Sequence, residues 1–377
     1  MATYYVRTPA NGGSDAAAGT SIATAWATFT KAFSASGFTS GDTVHVEPGV
    51  YRHVVTAVNT SPTTRAFVIG DYTGAIFGTP GEVRWSGFLT TDNAAGSGTT
   101  VLNLNNRDNI TIRGIRFESV SRCIDVPSGS INIDIEDCVL INQATGTIAM
   151  SSGASVALGC NIRRCIISGF SDAVLIVPNL NGGSNWNLNL NIENCVITST
   201  TNRGIYFSSS GSGRVASAVT VKNCTIRSAI GIQAANNAYG TGPAGIVVTN
   251  TLFQQCTTGI SAGATGQVSE NFNRFALCST PTSNIATNGA NTNLVGNLSI
   301  DMGSHFLFDL NPRMPWYMPY VADIINGDGT ATSMPTDDVH GTTRPNPPAI
   351  GASEQTTLYA SGGGMLVHPG MTGGIRG

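Results

Sequence analysis

The chain has 377 residues and a net charge of −3, and 11% of its residues are charged, against roughly a quarter in an ordinary globular protein. That balance gives no electrostatic case for nucleic acid or an anionic membrane as partner, and no apolar run approaches the roughly 20 residues that span a bilayer. With 41% hydrophobic residues and 45 glycines, the composition argues against disorder and points to many short strands joined by small polar turns.

The opening stretch, MATYYVRTPANGG, lacks a basic start followed by an apolar core, so no secretory signal is expected. Residues 23–36, ATAWATFTKAFSAS, place Trp26, Phe29 and Phe33 on one face of a predicted helix. We assign 1–52 to an N-terminal strand and a capping helix that enter the first coil, because an open solenoid end is an unpaired edge.

Further on, one short phrase recurs: IEDCVL, IRRCIIS, IENCVIT, VKNCTIR and VTNTLFQ. Aligned on its fourth position, it gives anchors at Ile115, Cys138, Cys165, Cys195, Cys224 and Thr251, 23 to 30 residues apart. A period in that range marks a solenoid with one supersecondary unit per turn. The columns five and three before the anchor, and two after it, are apolar throughout and mostly β-branched: Ile133, Ile135 and Leu140 in one repeat, Leu190, Ile192 and Ile197 in another. Alternation of this kind is a strand signal. The residue just before the anchor is Gly114, Asp137, Arg164, Asn194, Asn223 or Asn250, types that favour a bend where Gly and Asn prevail. A further short strand follows each bend, at 123–126, 173–177, 204–207, 231–234 and 259–262. Three strands per coil, stacked at about 4.8 Å, predict an all-β fold, a single parallel β-helix over 53–283. The Gly/Ser/Asn-rich excursions 178–189, 208–218 and 235–245 read as surface loops.

Two outward columns are candidate functional features. Two residues before the anchor stand Arg113, Glu136, Arg163, Glu193 and Lys222, alternating in sign from rung to rung, so neighbours attract and fix the stacking register. One residue after the anchor stand Val139, Ile166, Val196 and Leu252, an apolar stripe expected to face outward and to serve as a subunit seam. The eight cysteines include no CxxC and no Cys/His pair at zinc spacing. We read them as buried free thiols, with the anchor cysteines as small apolar filler beside the bend.

From about Asn284 the period is lost, and Pro, Met and aromatics collect in NPRMPWYMPY. We assign 284–354 to an irregular C-terminal cap and 355–377 to a Gly-rich tail. Leu366, Val367, His368 and Pro369 are the candidate contacts of this partner-binding arm.

The stretch from YYVRTPANGG through GDTVHVEPGVYR (4–52), with FDLNPRMPWYMPYVADIINGDG and DDVHGTTRPNPPAIGASE toward the end, resembles the right-handed parallel β-helix proteins of the pectate-lyase-like superfamily. The acid usual before IGA in that group is Ala349 here. The resemblance implies a right-handed coil. Its unsignalled start is similar to the β-helix proteins of tailed bacteriophages, which fold in the host cytoplasm, assemble onto virions and commonly trimerise.

This fold hosts lyases, hydrolases, adhesins and virion proteins. Polysaccharide lyases of this kind need clustered acids for calcium and a basic residue to take a proton, and glycosidases need paired carboxyls. Between Cys138 and Ser269 the acids are Asp172 and Glu193 alone. The richest cluster is Glu118, Asp125, Asp134, Glu136 and Asp137, opposite Arg113, Arg116, Arg122, Arg163 and Arg164. It reads either as a metal site or as the acidic half of the ladder. The five histidines are scattered. The sequence therefore leads to a homotrimeric, cofactor-free protein that decorates a capsid, with the major capsid protein or another virion protein as partner. The competing readings are a tail spike or fibre that binds or cleaves glycan, and a secreted polysaccharide lyase or glycoside hydrolase. Few loop aromatics, Trp186 and Tyr239, are available to stack on sugars.

Overall fold

The bend column decides the architecture. Gly114, Asp137, Arg164, Asn194, Asn223 and Asn250 all hold left-handed backbone, with φ of 68°, 51°, 51°, 54°, 49° and 52°. Such a residue turns an extended chain sharply without a loop, and Gly and Asn reach it at least cost. In each rung the turn ends a strand of one sheet and starts a strand of the next.

The computed structural model describes residues 1–58, 62–88, 100–119, 121–127, 131–142, 148–154, 158–178, 186–208, 215–235, 245–265, 267–276, 278–285, 335–337 and 343–344. Ten strands form the first sheet in chain order: Thr3–Val6, Thr43–Val46, Ala66–Gly70, Ile110–Arg113, Ile133–Glu136, Leu158–Arg163, Trp186–Glu193, Val215–Lys222, Ile246–Thr249 and Val268–Asn271. Every neighbour in it pairs parallel. Sixteen strands form the second sheet, arranged as two columns of rungs. One column contains Val83–Ser86, Arg116–Ser119, Val139–Asn142 and Leu252–Gln254; the other contains Thr100–Asn103, Arg122–Val126, Ile230–Ala234 and Thr258–Ala262. Two long strands, Ile166–Pro178 and Val196–Phe207, run through both columns and tie them together. The chain is a parallel β-helix, longer than the anchor repeat implied: three rungs of the first sheet precede Ile110, and one follows Thr249.

The core runs along the axis. Ile110, Ile133, Cys160, Leu190, Val219 and Ile246 stack on the first sheet with Ile112, Ile135, Ile162, Ile192, Val221 and Val248, and all are at most 1% exposed. Burying one such aliphatic side chain contributes about 1.5–3 kcal/mol, and every rung adds several. Aromatics fill the N-terminal end. The rings of Phe29 and Trp85 stack at 3.8 Å, and Trp85 lies 5.3 Å from Phe117.

The predicted cap differs in extent. Trp26, Phe29 and Phe33 are all buried, but the α-helix spans only Phe29–Ala32. Thr28 caps it by accepting from the Lys31 N–H, and Asp15 takes the Ala27 and Thr28 N–H groups instead of leaving them to a longer helix. Trp26 sits in extended backbone bridged to Val6 and stacks on Tyr4 at 4.6 Å. Of the predicted C-terminal cap, residues 284–285, 335–337 and 343–344 are described; the tail, with Leu366, Val367, His368 and Pro369, lies outside the described residues. The predicted excursions shrink, because strands continue to Pro178 and begin again at Trp186 and Val215.

The anchor cysteines do more than fill space. All eight thiols are free and buried. The Sγ of Cys138, Cys165, Cys195 and Cys224 lies 3.2–3.3 Å from the carbonyl oxygen two residues back in its own rung. Each also lies 3.4–3.7 Å from a carbonyl of the rung before. Thr251, in the same column, makes the first of these bonds with its hydroxyl at 3.2 Å. At the second bend Cys256 follows the left-handed Gln255 and reaches back to Gln254 in the same way, at 3.5 Å. The position calls for a small side chain that carries a donor. Replacing Cys195 by Thr should therefore leave the protein more stable than replacing it by Val, by about 1 kcal/mol in urea unfolding. Equal stabilities of the two variants would show that the donor is idle.

Candidate functional site

The outer face of the first sheet carries the alternating column. Strand register places Arg113, Glu136, Arg163, Glu193, Lys222 and Thr249 one above another. Arg163 is its centre, 3.7 Å from Glu136 and 3.7 Å from Glu193. Arg113 turns instead to the bend residue Asp137 at 2.7 Å, and Asp137 binds Arg164 at 2.6 Å. Arg164 also reaches Glu136, at 3.7 Å. The charges thus form a braid of two columns, the bend residues included. Arg163 keeps 35% of its side chain exposed, so each of its pairs contributes only about 0–1 kcal/mol.

A second polar ladder runs beside the first, two residues earlier in each strand. Arg65 pairs with Asp134. Asp134 accepts from Asn161 at 2.6 Å, and Asn161 accepts from Asn191 at 2.8 Å. Asn191 in turn accepts from the Thr220 hydroxyl. An amide carries both donor and acceptor, so a column of amides hands hydrogen bonds from rung to rung. Of this column the sequence had marked Asp134 alone, as a member of the acid cluster.

The candidate acids are each held by arginine. Glu118, fully buried, lies 2.7 Å from Arg84 and 2.9 Å from Arg116. Asp125 pairs with Arg122 at 2.9 Å. Asp172 binds Arg203 through both oxygens, at 2.7 and 2.9 Å, while that guanidinium lies 3.4 Å over the Tyr206 ring and donates to Gln233 at 3.2 Å. Among the described residues, no group of three or more His, Cys, Asp or Glu side chains is placed to hold a metal ion. A carboxylate occupied by guanidinium is a weaker base and a poorer ligand than a free one.

Other titratable groups are set by burial. It pushes the Cys138, Cys165 and Cys195 thiols well above their usual range, which removes the reactive thiolate. Burial also lowers His45 and His53, with Asp71 and Asp15 respectively opposing it. His305, His340 and His368 lie outside the described residues. Arg107, 1% exposed, sits 4.0 Å over the Phe38 ring and donates to the Phe38 carbonyl at 2.9 Å. Its loss of solvent brings its pKa down to about 10.

The apolar stripe requires a correction. Val139 and Val196 are 0% exposed, Leu252 3% and Ile166 9%. They lie apart from the axial core, so their outward parity stands. They are nevertheless covered within the single chain and do not form an exposed seam. A charge at Val196 would strike folding before it reached any subunit contact. Another long-range feature that the sequence did not foreshadow is at the bends, where Asp337 and Arg344 meet Arg164 and Asn194.

Comparison with known proteins follows this geometry. Residues 99–275 match the family described as the right-handed β-helix region. The fold is the right-handed parallel β-helix. The crystal structure of a pectate lyase superposes with a TM-score of 0.55 at 12% identity, over 94% of this chain and 96% of that one. A rhamnogalacturonan lyase gives 0.42 at 17% identity, over 70% and 74%, and a pectin methylesterase 0.36 at 10%, over 72% and 81%. These identities speak for the fold alone. No curated protein matches the chain in sequence.

Asp137 offers a pH test. Burial pushes its carboxyl up, but the Arg164 and Arg113 guanidiniums outweigh burial and hold it below its ordinary value of 3.8. Such a group stabilises the fold above its unfolded-state pKa and loses that contribution as pH falls through the folded one. The stability gap between wild type and Asp137→Asn should therefore stay level from about pH 7 to about pH 5 and shrink as the pH falls below about 4 in urea unfolding. A gap that stays constant would show that the two guanidiniums leave the carboxylate unstabilised.

Proposed function

We propose that this chain is a non-catalytic structural protein of a virus particle, a β-helix that decorates the capsid and is anchored by its Gly-rich end. The observation that carries this reading is the commitment of the acids. Glu118, Asp125, Asp134, Glu136, Asp137 and Asp172, where a polysaccharide-cleaving site would draw its carboxylates, are each engaged by arginine, on their own or a neighbouring rung or, for Asp134, from two rungs away. Their chemistry goes into joining rungs. The resemblance to β-helix proteins of tailed bacteriophages, read from the sequence, supports the virion assignment. The partner is the major capsid protein or another virion protein. Self-association as a trimer belongs to the same reading, through a face other than the buried stripe.

A second reading rests on the pectate lyase likeness, which extends over 94% of the chain. It takes the protein as a tail spike or fibre that binds or cleaves a host surface polysaccharide. One experiment separates the two. Purified protein is mixed with capsids lacking it and sedimented, and in parallel with acidic polysaccharides assayed for unsaturated cleavage products. Saturable rebinding to capsids without cleavage is the expected result. Failure to rebind together with cleavage or retention of polysaccharide would overturn it.

A further inference from the structure

Two of the eight thiols stand apart from the anchor column. Gln254 pairs with Ala276 and Thr258 with Thr280, both in parallel register, so Cys256 and Cys278 hold the same place on successive rungs. Main-chain bonds on either side keep them level. The Gln255 N–H donates to the Ala276 carbonyl at 2.8 Å, and the Ser279 N–H donates to the Cys256 carbonyl at 3.0 Å. Neighbouring rungs lie about 4.8 Å apart, inside the roughly 4.4–6.8 Å between Cα atoms that a disulfide spans. Both side chains belong to the core cluster, and the Cys278 S–H donates to the Cys256 sulfur.

Three features separate this pair from the stack of Cys138, Cys165, Cys195 and Cys224. Those four are 0% exposed, whereas Cys278 is 8% exposed, on the last rung among the described residues. The anchor sulfurs lie 3.2–3.3 Å from the carbonyl two residues back. Cys256 and Cys278 are held more loosely, at 3.5 and 3.7 Å. The third difference is in acidity. Burial pushes the Cys138, Cys165 and Cys195 thiols up, but at Cys256 the hydrogen bond from Cys278 outweighs burial and holds the thiol below its ordinary value. Cys278 is raised in turn, first by its bond to Cys256 and then by burial. One sulfur of the pair is thus the better nucleophile, and its neighbour keeps the proton beside it.

We propose that Cys256 and Cys278 are an oxidation site, at which hydrogen peroxide closes a disulfide between two successive rungs. In the first step one thiol attacks the peroxide, its sulfur takes up one oxygen as a sulfenic acid, and the other oxygen leaves as water. In the second step the remaining thiol attacks the sulfenic sulfur, the S–S bond forms, and the hydroxyl leaves with the thiol proton as a second water. Two thiols are oxidised and one peroxide is reduced. The bond joins residues 22 positions apart and ties the last described rung to the one before it. The site depends on no partner and on no part of the capsid reading.

The test uses the folded, full-length wild type. It is treated with millimolar hydrogen peroxide, quenched, unfolded in urea and alkylated with iodoacetamide, and its free thiols are counted by intact mass and located by peptide mapping. Untreated protein should alkylate at all eight cysteines. Treated protein should alkylate at six, with one new linked peptide containing Cys256 and Cys278, and dithiothreitol should restore all eight. Eight alkylated thiols after peroxide would overturn the proposal. So would a link within the anchor column that leaves Cys256 and Cys278 free, or a sulfinic acid at either residue with no link formed.

Discussion

The regular middle of this chain depends on a left-handed residue followed at once by a small inward donor. The first turns the backbone from one sheet into the next without spending residues on a loop. The second meets the carbonyl that the turn swings inward, by a thiol in four rungs and a hydroxyl in a fifth. Because this unit recurs in the same place on the five coils from Cys138 to Thr251, those rungs present their apolar residues to the same axis. The parallel register follows, and with it the stacked columns of Ile, Val and Cys.

The outer surface obeys the same register with different chemistry. A stack of identical outward residues would repel if charged, so charge has to alternate or be shared. The chain does both. Glu136, Arg163 and Glu193 alternate, while Asp134, Asn161, Asn191 and Thr220 pass hydrogen bonds along. A protein with few charges places many of them in these braids, where they discriminate one register from the next even if each contributes little to stability. This is why the acids look like a catalytic cluster in the sequence and like mortar in the fold.

The columns were legible because strand alternation and the bend residue are local properties, repeated often enough to align. The first rungs, Thr3–Val6, Thr43–Val46 and Ala66–Gly70, escaped the repeat because none ends in the left-handed bend that marks the others. The helix was drawn too long because its apolar spacing continues past the point where Asp15 and Thr28 take the N–H groups. Parity told that Val139 and Val196 face away from the core, but not that they are buried there. Distance in sequence hid the meeting of Arg344 with Asn194. Thr251 showed what Cys195 is for, because a hydroxyl in a thiol column points to the shared donor; volume alone had suggested filler.

The central claim is that the acids hold rungs together and do not serve a ligand. Glu118 tests it most directly, being fully buried between Arg84 and Arg116. The measurement is thermal and urea unfolding of wild type and Glu118→Gln, each with and without millimolar calcium. The account predicts that the variant loses about 3 kcal/mol, because two guanidiniums are left without their charge partner, and that calcium changes neither protein. A wild type that calcium stabilises, beside a variant that is insensitive to calcium and as stable as wild type without it, would contradict the account.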